Sequence, residues 1–493
     1  MKKVPRGTLP LIAVDRKSPK PLHKQIYEAY RSAIVGRGLR AGQQLPSTRA
    51  LASELGVSRI PVLNAYEQLL AEGYFETRAG AGTFVSSLIP DQLSSRERRL
   101  DGSSAIRSGP RLLSRRCADL PNWNGEVPFP GSGAFSSSEP AYDHFPLHIW
   151  SNLVARHSRK LSVDSLHYGT PMGSLAFRET IATYLRTSRA VRCEADQIIV
   201  VSGSQQALDI SARALLDPGS PVWVEDPGYY FMKQVLTTAG ARLVPVAVDN
   251  EGLDVAAGIK QCRQARAAFV TPSHQYPLGV TMSASRRLQL LEWAQSLGSW
   301  IVEDDYDSEY RYESMPIASL QGLDRHARVI YIGTFSKVLF SSLRVGYMVV
   351  PPDLVDRLST VRLSMDLGPP ELYQAVLTDF ISEGHFARHI RRMRLLYSER
   401  RSALVESLHK EMGPTFQVLG GQAGMHFAVA LPEGFHDQEI TVRAARQNLC
   451  VWPLSPAYLG NKRRQGLLLG FGNTSVEDMP GAVRRLRDVI ASA

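Results

Sequence analysis

The apolar run Val329-Ile330-Tyr331-Ile332 leads into Gly333-Thr334-Phe335-Ser336-Lys337, and Arg344 follows seven positions later. An ammonium group desolvated at the end of a buried strand is disfavoured as a cation, so the pKa of Lys337 falls. An amine poised in that way can attack an aldehyde and hold it as a Schiff base. The hydroxyls of Thr334 and Ser336 and the guanidinium fork of Arg344 could surround one dianion. An aldehyde and a phosphate on one small molecule suggest pyridoxal 5'-phosphate. A lysine reaching from a strand end into water meets the same description, and this stretch alone does not choose between the two.

The elements that would position Lys337 come from a repeated grammar beyond residue 130, where strand-like and helix-like segments alternate as in an α/β domain with a largely parallel sheet. Ile198-Ile199-Val200-Val201 is a buried-strand run, and Ser202-Gly203-Ser204-Gln205-Gln206 turns it into a helix whose N-terminal N–H groups face an anion. Val222-Trp223-Val224-Glu225-Asp226 ends toward Tyr229, and Ala268-Phe269-Val270-Thr271 toward His274-Gln275-Tyr276-Pro277. Trp300-Ile301-Val302 closes on the acids Glu303, Asp304, Asp305 and Asp307 with Tyr306 among them. All are strand C-terminal ends, where an open α/β sheet binds its ligand.

At 493 residues the chain exceeds one ordinary core, and 44% apolar with 21% charged residues is a globular composition. Cys117, Cys193, Cys262 and Cys450 lie far apart without paired spacing, which argues against a disulfide framework or a zinc site; no metal is expected. The first thirty residues mix charges and prolines, and no apolar run approaches membrane-spanning length, so a soluble, cytoplasmic protein is expected. The net charge of +10 is unevenly spread: residues 1–90 carry 13 Lys+Arg against 6 Asp+Glu, and residues 91–118 carry 7 against 3. A basic end joined to a near-neutral body suggests nucleic-acid binding by the first part, although a solvated charged face has the same composition.

That basic end has helical periodicity. Leu22, Ile26, Ala29, Tyr30, Ala33 and Ile34 share one face before Gly36. Ser47 is placed to cap a second helix that Gly56 ends, and Ser58 a third over Arg59 to about Leu70, with Val62, Ala65, Tyr66 and Leu69 on one face. A hairpin-like stretch from Tyr74 to Val85 follows, completing the pattern of a winged helix-turn-helix. The segment Leu45-Pro46-Ser47-Thr48-Arg49-x-Leu51-Ala52-x-x-Leu55-Gly56-Val57-Ser58-Arg59, with Ala65-Tyr66 and Gly73, resembles the GntR-type DNA-binding domain. The resemblance implies that the third helix enters the major groove of double-stranded DNA. Ser47, Arg49, Ser58, Arg59 and Tyr66, with Arg78, Gly80, Gly82 and Thr83 of the wing, would be the contacting residues. At Ile60-Pro61 the chain departs from the usual pattern, losing a hydroxyl and an N–H donor. From about Ser86 to Asn122 the composition turns to Ser, Arg, Asp, Gly and Pro, a linker signature. The expected domains are a DNA-binding head over 15–87, a flexible basic linker over 88–125 and a body over 126–493.

The order of the body's motifs resembles the fold-type I aminotransferases over roughly residues 130 to 490. The resemblance implies that Lys337 holds the cofactor covalently; that Gly203, Ser204, Gln205, Thr334, Ser336 and Arg344 hold its phosphate; and that Tyr229 stacks on its ring. It further implies that Asp304 faces the ring nitrogen, Tyr306 the phenolic oxygen, and Tyr168 the phosphate in the other subunit. Two departures bear on activity. Tyr276 replaces the asparagine usual before Pro and Gly, and Gly466-Leu467-Leu468-Leu469-Gly470-Phe471 contains no arginine for a substrate carboxylate. Head, linker and body together resemble the MocR-type transcriptional regulators. That resemblance implies a homodimer in which pyridoxal phosphate, and in some members an amino compound, biases the arrangement of the DNA-binding domains; the two departures point to weak or absent transamination. The competing reading is a working aminotransferase that acts on an amino acid.

Overall fold

A computed structural model describes residues 13–87, 114, 117, 133–137, 139–312, 318–413, 416–461 and 463–492. The chain divides into two compact units between Leu112 and Leu113. The expected linker over 88–125 lies outside the described residues apart from positions 114 and 117.

In the first unit, helix α1 (Leu22–Val35) buries Ile26, Tyr30 and Ile34, the face its periodicity marked. Helix α2 (Thr48–Leu55) begins where the Ser47 hydroxyl accepts from the Ala50 N–H at 3.2 Å, and ends at Gly56 in the left-handed conformation, φ 63°. Helix α3 (Arg59–Ala71) turns Val62, Ala65, Tyr66 and Leu69 inward. Tyr30, Tyr66 and Phe75 meet edge to face, with ring centroids 5.0–5.7 Å apart, an arrangement that suits the ring quadrupoles. Strands β1 (Phe75–Arg78) and β2 (Gly82–Val85) pair antiparallel as the wing, with Arg78 opposite Gly82.

The second unit is built on an eight-stranded sheet. Its strands are β3 (Ile198–Val201), β4 (Pro221–Asp226), β5 (Arg242–Asp249), β6 (Gly252–Leu253), β7 (Ala267–Val270), β8 (Trp300–Asp305), β9 (Val329–Thr334) and β10 (Gly346–Val349). The spatial order is β3-β10-β9-β8-β7-β4-β5-β6. Strands β5, β4, β7, β8 and β9 run parallel, while β10 is antiparallel to both its neighbours and β6 is antiparallel to β5. Strands β3, β7, β9 and β10 are buried along their whole length, which is why they read as continuous apolar runs and not as alternations. A second, antiparallel sheet, β11 (Val418–Leu419), β12 (His426–Ala430), β13 (Trp452–Pro453) and β14 (Gly466–Gly470), has the order β11-β12-β14-β13. Among the described residues no helix is long and apolar enough to cross a membrane.

Candidate functional site

The C-terminal ends of the body's strands converge on a cavity of about 1190 Å³. Its lining includes Lys337, Thr334, Ser336 and Arg344 from the end of β9, Asp304 and Tyr306 from the end of β8, Tyr229 after β4, and Ser204 and Gln205 after β3. Segments more than a hundred residues apart in sequence are brought to one place because the parallel strands all point the same way.

Each side chain owes its position to a local device. Gly203 has φ 85° and precedes the helix Ser204–Leu215. A Cβ added there would sit 3.0–3.2 Å from the Arg344 guanidinium, so glycine is what lets the two approach. Arg344 itself lies in the left-handed region, φ 51°, and donates from its guanidinium to the Ser202 carbonyl at 2.8 Å. The Ser336 N–H donates to the Thr334 hydroxyl at 3.2 Å, folding the strand end over so that Lys337 faces the cavity. Lys337 is half-buried, and burial pushes its amine down to about 8, against the opposing pull of Asp307, Glu139 and Asp304.

The acids at the end of β8 are sorted by their partners. Asp305 receives Arg189 at 2.6 Å and the Tyr331 hydroxyl at 2.5 Å; burial works to raise its pKa, but these partners outweigh it and hold the carboxyl below its ordinary value. Asp304 has no such bonded cation, and burial, reinforced by Asp305, Asp307 and Glu225 and opposed only by the nearby Lys337, pushes it up to about 8. Its Oδ1 is buried without a hydrogen-bond partner, as are Ser336 Oγ and Gln205 Oε1. Buried polar atoms left unsatisfied in this way are costly, and all three belong to residues that line the one cavity.

Beside Lys337 is a group that the sequence reading did not single out as functional. His274 Nδ1 lies 3.0 Å from both carboxylate oxygens of Asp307, and the Tyr306 hydroxyl is 3.0 Å from the same nitrogen. The His426 ring is 4.9 Å from that of His274, centroid to centroid. His274, Asp307 and His426 place one donor atom each within 4.8 Å of the others. In sequence His274 and Asp307 are marked only by their place at strand C-terminal ends, and His426 by being a histidine inside the otherwise apolar run Met425-His426-Phe427.

Of the other expected residues, Tyr168 is 83% exposed and is not among those that line the cavity of its own chain. In the head, Arg49, Ser58, Arg59, Arg78, Gly80 and Gly82 are exposed, and Thr83 is half-buried. Arg59 Nε donates to the Thr48 hydroxyl at 3.2 Å, while Arg78 pairs with Glu76 at 2.7 Å and covers the Phe84 ring. Tyr66 departs from its expected role as a DNA contact. It is 3% exposed and its hydroxyl donates to the Pro46 carbonyl at 2.9 Å, so it is spent on holding α3 inside the head.

Residues 22–85 match the family of bacterial regulatory proteins of gntR type, and residues 134–459 match aminotransferase class I and II. Over 477 residues the chain is 40% identical to the probable rhizopine catabolism regulatory protein MocR of Rhizobium meliloti, covering 97% of this chain and 95% of that one. The chain belongs to the MocR-type transcriptional regulators. A second member of this kind, the HTH-type pyridoxine biosynthesis transcriptional regulator PdxR of Corynebacterium glutamicum, is 30% identical over 97% of the chain and 98% of its own. Among solved structures, the kynurenine aminotransferase of Pyrococcus horikoshii in complex with PMP superposes with a TM-score of 0.71 at 27% identity, covering 79% of this chain and 99% of that one. The MocR-type chain is thus a regulator with a GntR-type head and an aminotransferase-like body. The aromatic-amino-acid aminotransferase 1 of Thermococcus litoralis is 28% identical over 71% of this chain and 86% of its own.

Proposed function

We propose that this regulator grips operator DNA with its head and holds pyridoxal 5'-phosphate in its body at Lys337, and that occupancy of the body biases the arrangement of two heads in a homodimer. The single observation that carries the reading is the pairing of a lysine amine brought down to about 8 with an unpartnered, buried carboxyl oxygen of Asp304 across the same cavity. When bound, the cofactor supplies an aldehyde carbon and an electron-accepting ring.

The residues fit such a group. Asp304 would receive its ring nitrogen, and a proton shared there fits a carboxyl that burial has raised. Gly203, Ser204, Gln205, Thr334, Ser336 and Arg344 would hold the phosphate, with helix N–H groups, hydroxyls and one guanidinium. The Tyr229 ring would cover one face and keep water off it, and the Tyr306 hydroxyl, steadied by His274, would meet the phenolic oxygen. Tyr168, exposed in its own chain, would serve a partner subunit's cavity. In the head, Arg49 and Arg59 with the wing would contact phosphates and base edges. The head over 15–87, the linker over 88–125 and the body over 126–493 are the units we assign to these tasks, in the cytoplasm. The effect on DNA is a population shift: a ligand moves the heads only by as much as it binds one dimer arrangement better than another.

The test combines two measurements on purified full-length protein. Wild type should gain visible absorbance with the cofactor and Lys337→Ala should not; wild type should shift its own promoter fragment in a salt-sensitive way that differs with and without cofactor. Equal absorbance in the two proteins would sink the lysine assignment.

A further inference from the structure

The body has a second cavity, of about 830 Å³, walled by the helices Leu175–Ser188, Glu371–Ser382 and His385–Met412. Among the described residues, none lines both this cavity and the one around Lys337. The run that ends β8 divides them: Asp304, Tyr306 and Asp307 line the first, and Ser308, Glu309 and Arg311 the second. Its volume falls within the roughly 300–1,000 Å³ of small-molecule sites.

Much of the wall is apolar. Ile381, Phe386 and Ile390 line it together with Tyr184, whose ring meets that of Phe386 edge to face at 5.2 Å. Three threonines complete the side formed by Leu175–Ser188. The hydroxyls of Thr180, Thr183 and Thr187 donate to the carbonyls of Ala176, Glu179 and Thr183 at 2.8–2.9 Å, so their protons are spent inside the helix.

The charged groups of the lining are unevenly matched. Arg189 is taken up by Asp305, and Arg311 donates to the Ser273 carbonyl at 2.9 Å. Arg391 and Arg394 are exposed, three positions apart and so on one face of the helix His385–Met412. Arg394 donates to the backbone carbonyl of Glu309, and among the described residues Arg391 has no hydrogen bond or ion pair. Two acids also line the cavity. Glu309 accepts the Tyr184 hydroxyl at 2.7 Å, and burial together with Asp305 pushes its carboxyl up to about 7; Glu179 is exposed on the other helix. Glu383, just past the helix Glu371–Ser382, is paired with Arg156. Two guanidiniums are thus left without a carboxylate beside an apolar recess. Such a site suits an amphiphile, with the recess for hydrocarbon and the guanidiniums for an anion.

We propose that this cavity is a second ligand site, for a hydrophobic carboxylic acid. Arg391 and Arg394 take the carboxylate, and Tyr184, Ile381, Phe386 and Ile390 take the alkyl or aryl body.

Full-length protein in the presence of pyridoxal 5'-phosphate is titrated calorimetrically with octanoate, and in parallel with hexanoate, acetate and 1-octanol. Octanoate is expected to saturate one site per chain, tighter than hexanoate by up to about fourfold for each added methylene. It should also bind about tenfold tighter than 1-octanol, which has the same chain without the charge, and acetate should not saturate. Arg391→Gln breaks no bond among the described residues, and should weaken octanoate about three- to tenfold while leaving 1-octanol unchanged. Ala387→Phe fills the recess from an exposed position and should abolish octanoate binding, with melting temperature followed to show that the fold is kept. The proposal is overturned if octanoate fails to saturate the wild type, if 1-octanol binds as tightly, or if acetate saturates equally well. Unchanged octanoate affinity in a folded Ala387→Phe protein also overturns it, by placing the acid elsewhere, and so does unchanged affinity in Arg391→Gln. The Arg391→Gln arm decides the matter if Ala387→Phe does not fold.

Discussion

The guanidinium of Arg189 lies 2.6 Å from the carboxylate of Asp305, and both side chains are buried, at 3% and 1% exposure. The pair sits one residue along the chain from Asp304, and Arg189 also donates to the Ser273 hydroxyl at 3.1 Å. It ties the end of β8 to the helix Leu175–Ser188 through its C-cap, so the direction of Asp304 is set by a salt bridge outside the cavity lining. Removing one partner strands a buried charge. Arg189→Met alone is expected to destabilise the body by about 3–5 kcal/mol in denaturant titration, and Arg189→Met with Asp305→Leu by much less. Equal losses in the single and double variants would show that the pair is not coupled.

The lysine carries a pH signature. Its folded-state pKa of about 8 lies below its ordinary 10.5, so in the cofactor-free protein the charged amine is penalised in full below pH 8. The penalty fades as pH rises from 8 toward 10.5, where the folded chain binds fewer protons than the unfolded one. Lys337→Met should therefore stabilise the cofactor-free protein most below pH 8 and progressively less above it, measured as the difference in melting temperature from wild type. A difference that does not change with pH would argue against a perturbed amine.

Gly203→Ala tests the proposed phosphate site without touching a polar side chain. At φ 85°, and with Arg344 3.0 Å from the added carbon, the methyl must move the guanidinium away from the Ser202 carbonyl. Strain of about 1–3 kcal/mol is expected in stability. Retention of the cofactor on gel filtration should fall as well, and full retention would mean that Arg344 is not part of its hold.

The head separates two kinds of residue. Arg59→Ala should weaken operator binding about tenfold and, if Arg59 meets a phosphate, lower the salt slope by about 1, leaving cofactor absorbance alone. Tyr66→Phe should instead cost about 1 kcal/mol of head stability, through the lost bond to Pro46, with the affinity of the folded protein unchanged. A large affinity loss in Tyr66→Phe, at unchanged melting temperature, would restore it as a DNA contact.

The framework of the site was legible because its strands are buried on both faces. Continuous runs such as Ile198–Val201 and Val329–Thr334 announce their own C-terminal ends, and a charged residue just past such an end is conspicuous. Lys337, just past the end of β9, stands out for that reason, and Asp304 does so as a charge near the end of β8's apolar run. Tyr66 is legible too, since Val62, Ala65, Tyr66 and Leu69 mark the inner face of α3, and a side chain in that phase belongs to the head's core. What no periodicity could supply was the meeting of His274, Asp307 and His426, which depends on how a second sheet abuts the first. Likewise, Leu468 reads in sequence only as a missing arginine, and its pairing with Trp452 across β13 and β14 is what makes it part of a surface.

One strand has a consequence for how the protein is made. Gly346 on β10 pairs with Val201 on one side and Thr334 on the other, so it is the stitch that holds the turn at Gly203 against the turn at Ser336. A nascent chain still lacking Met348 and Val349 has neither edge of that seam fastened. The cavity around Lys337 is therefore unfinished throughout the first two-thirds of synthesis, whereas every residue of the DNA-binding head is already in the chain.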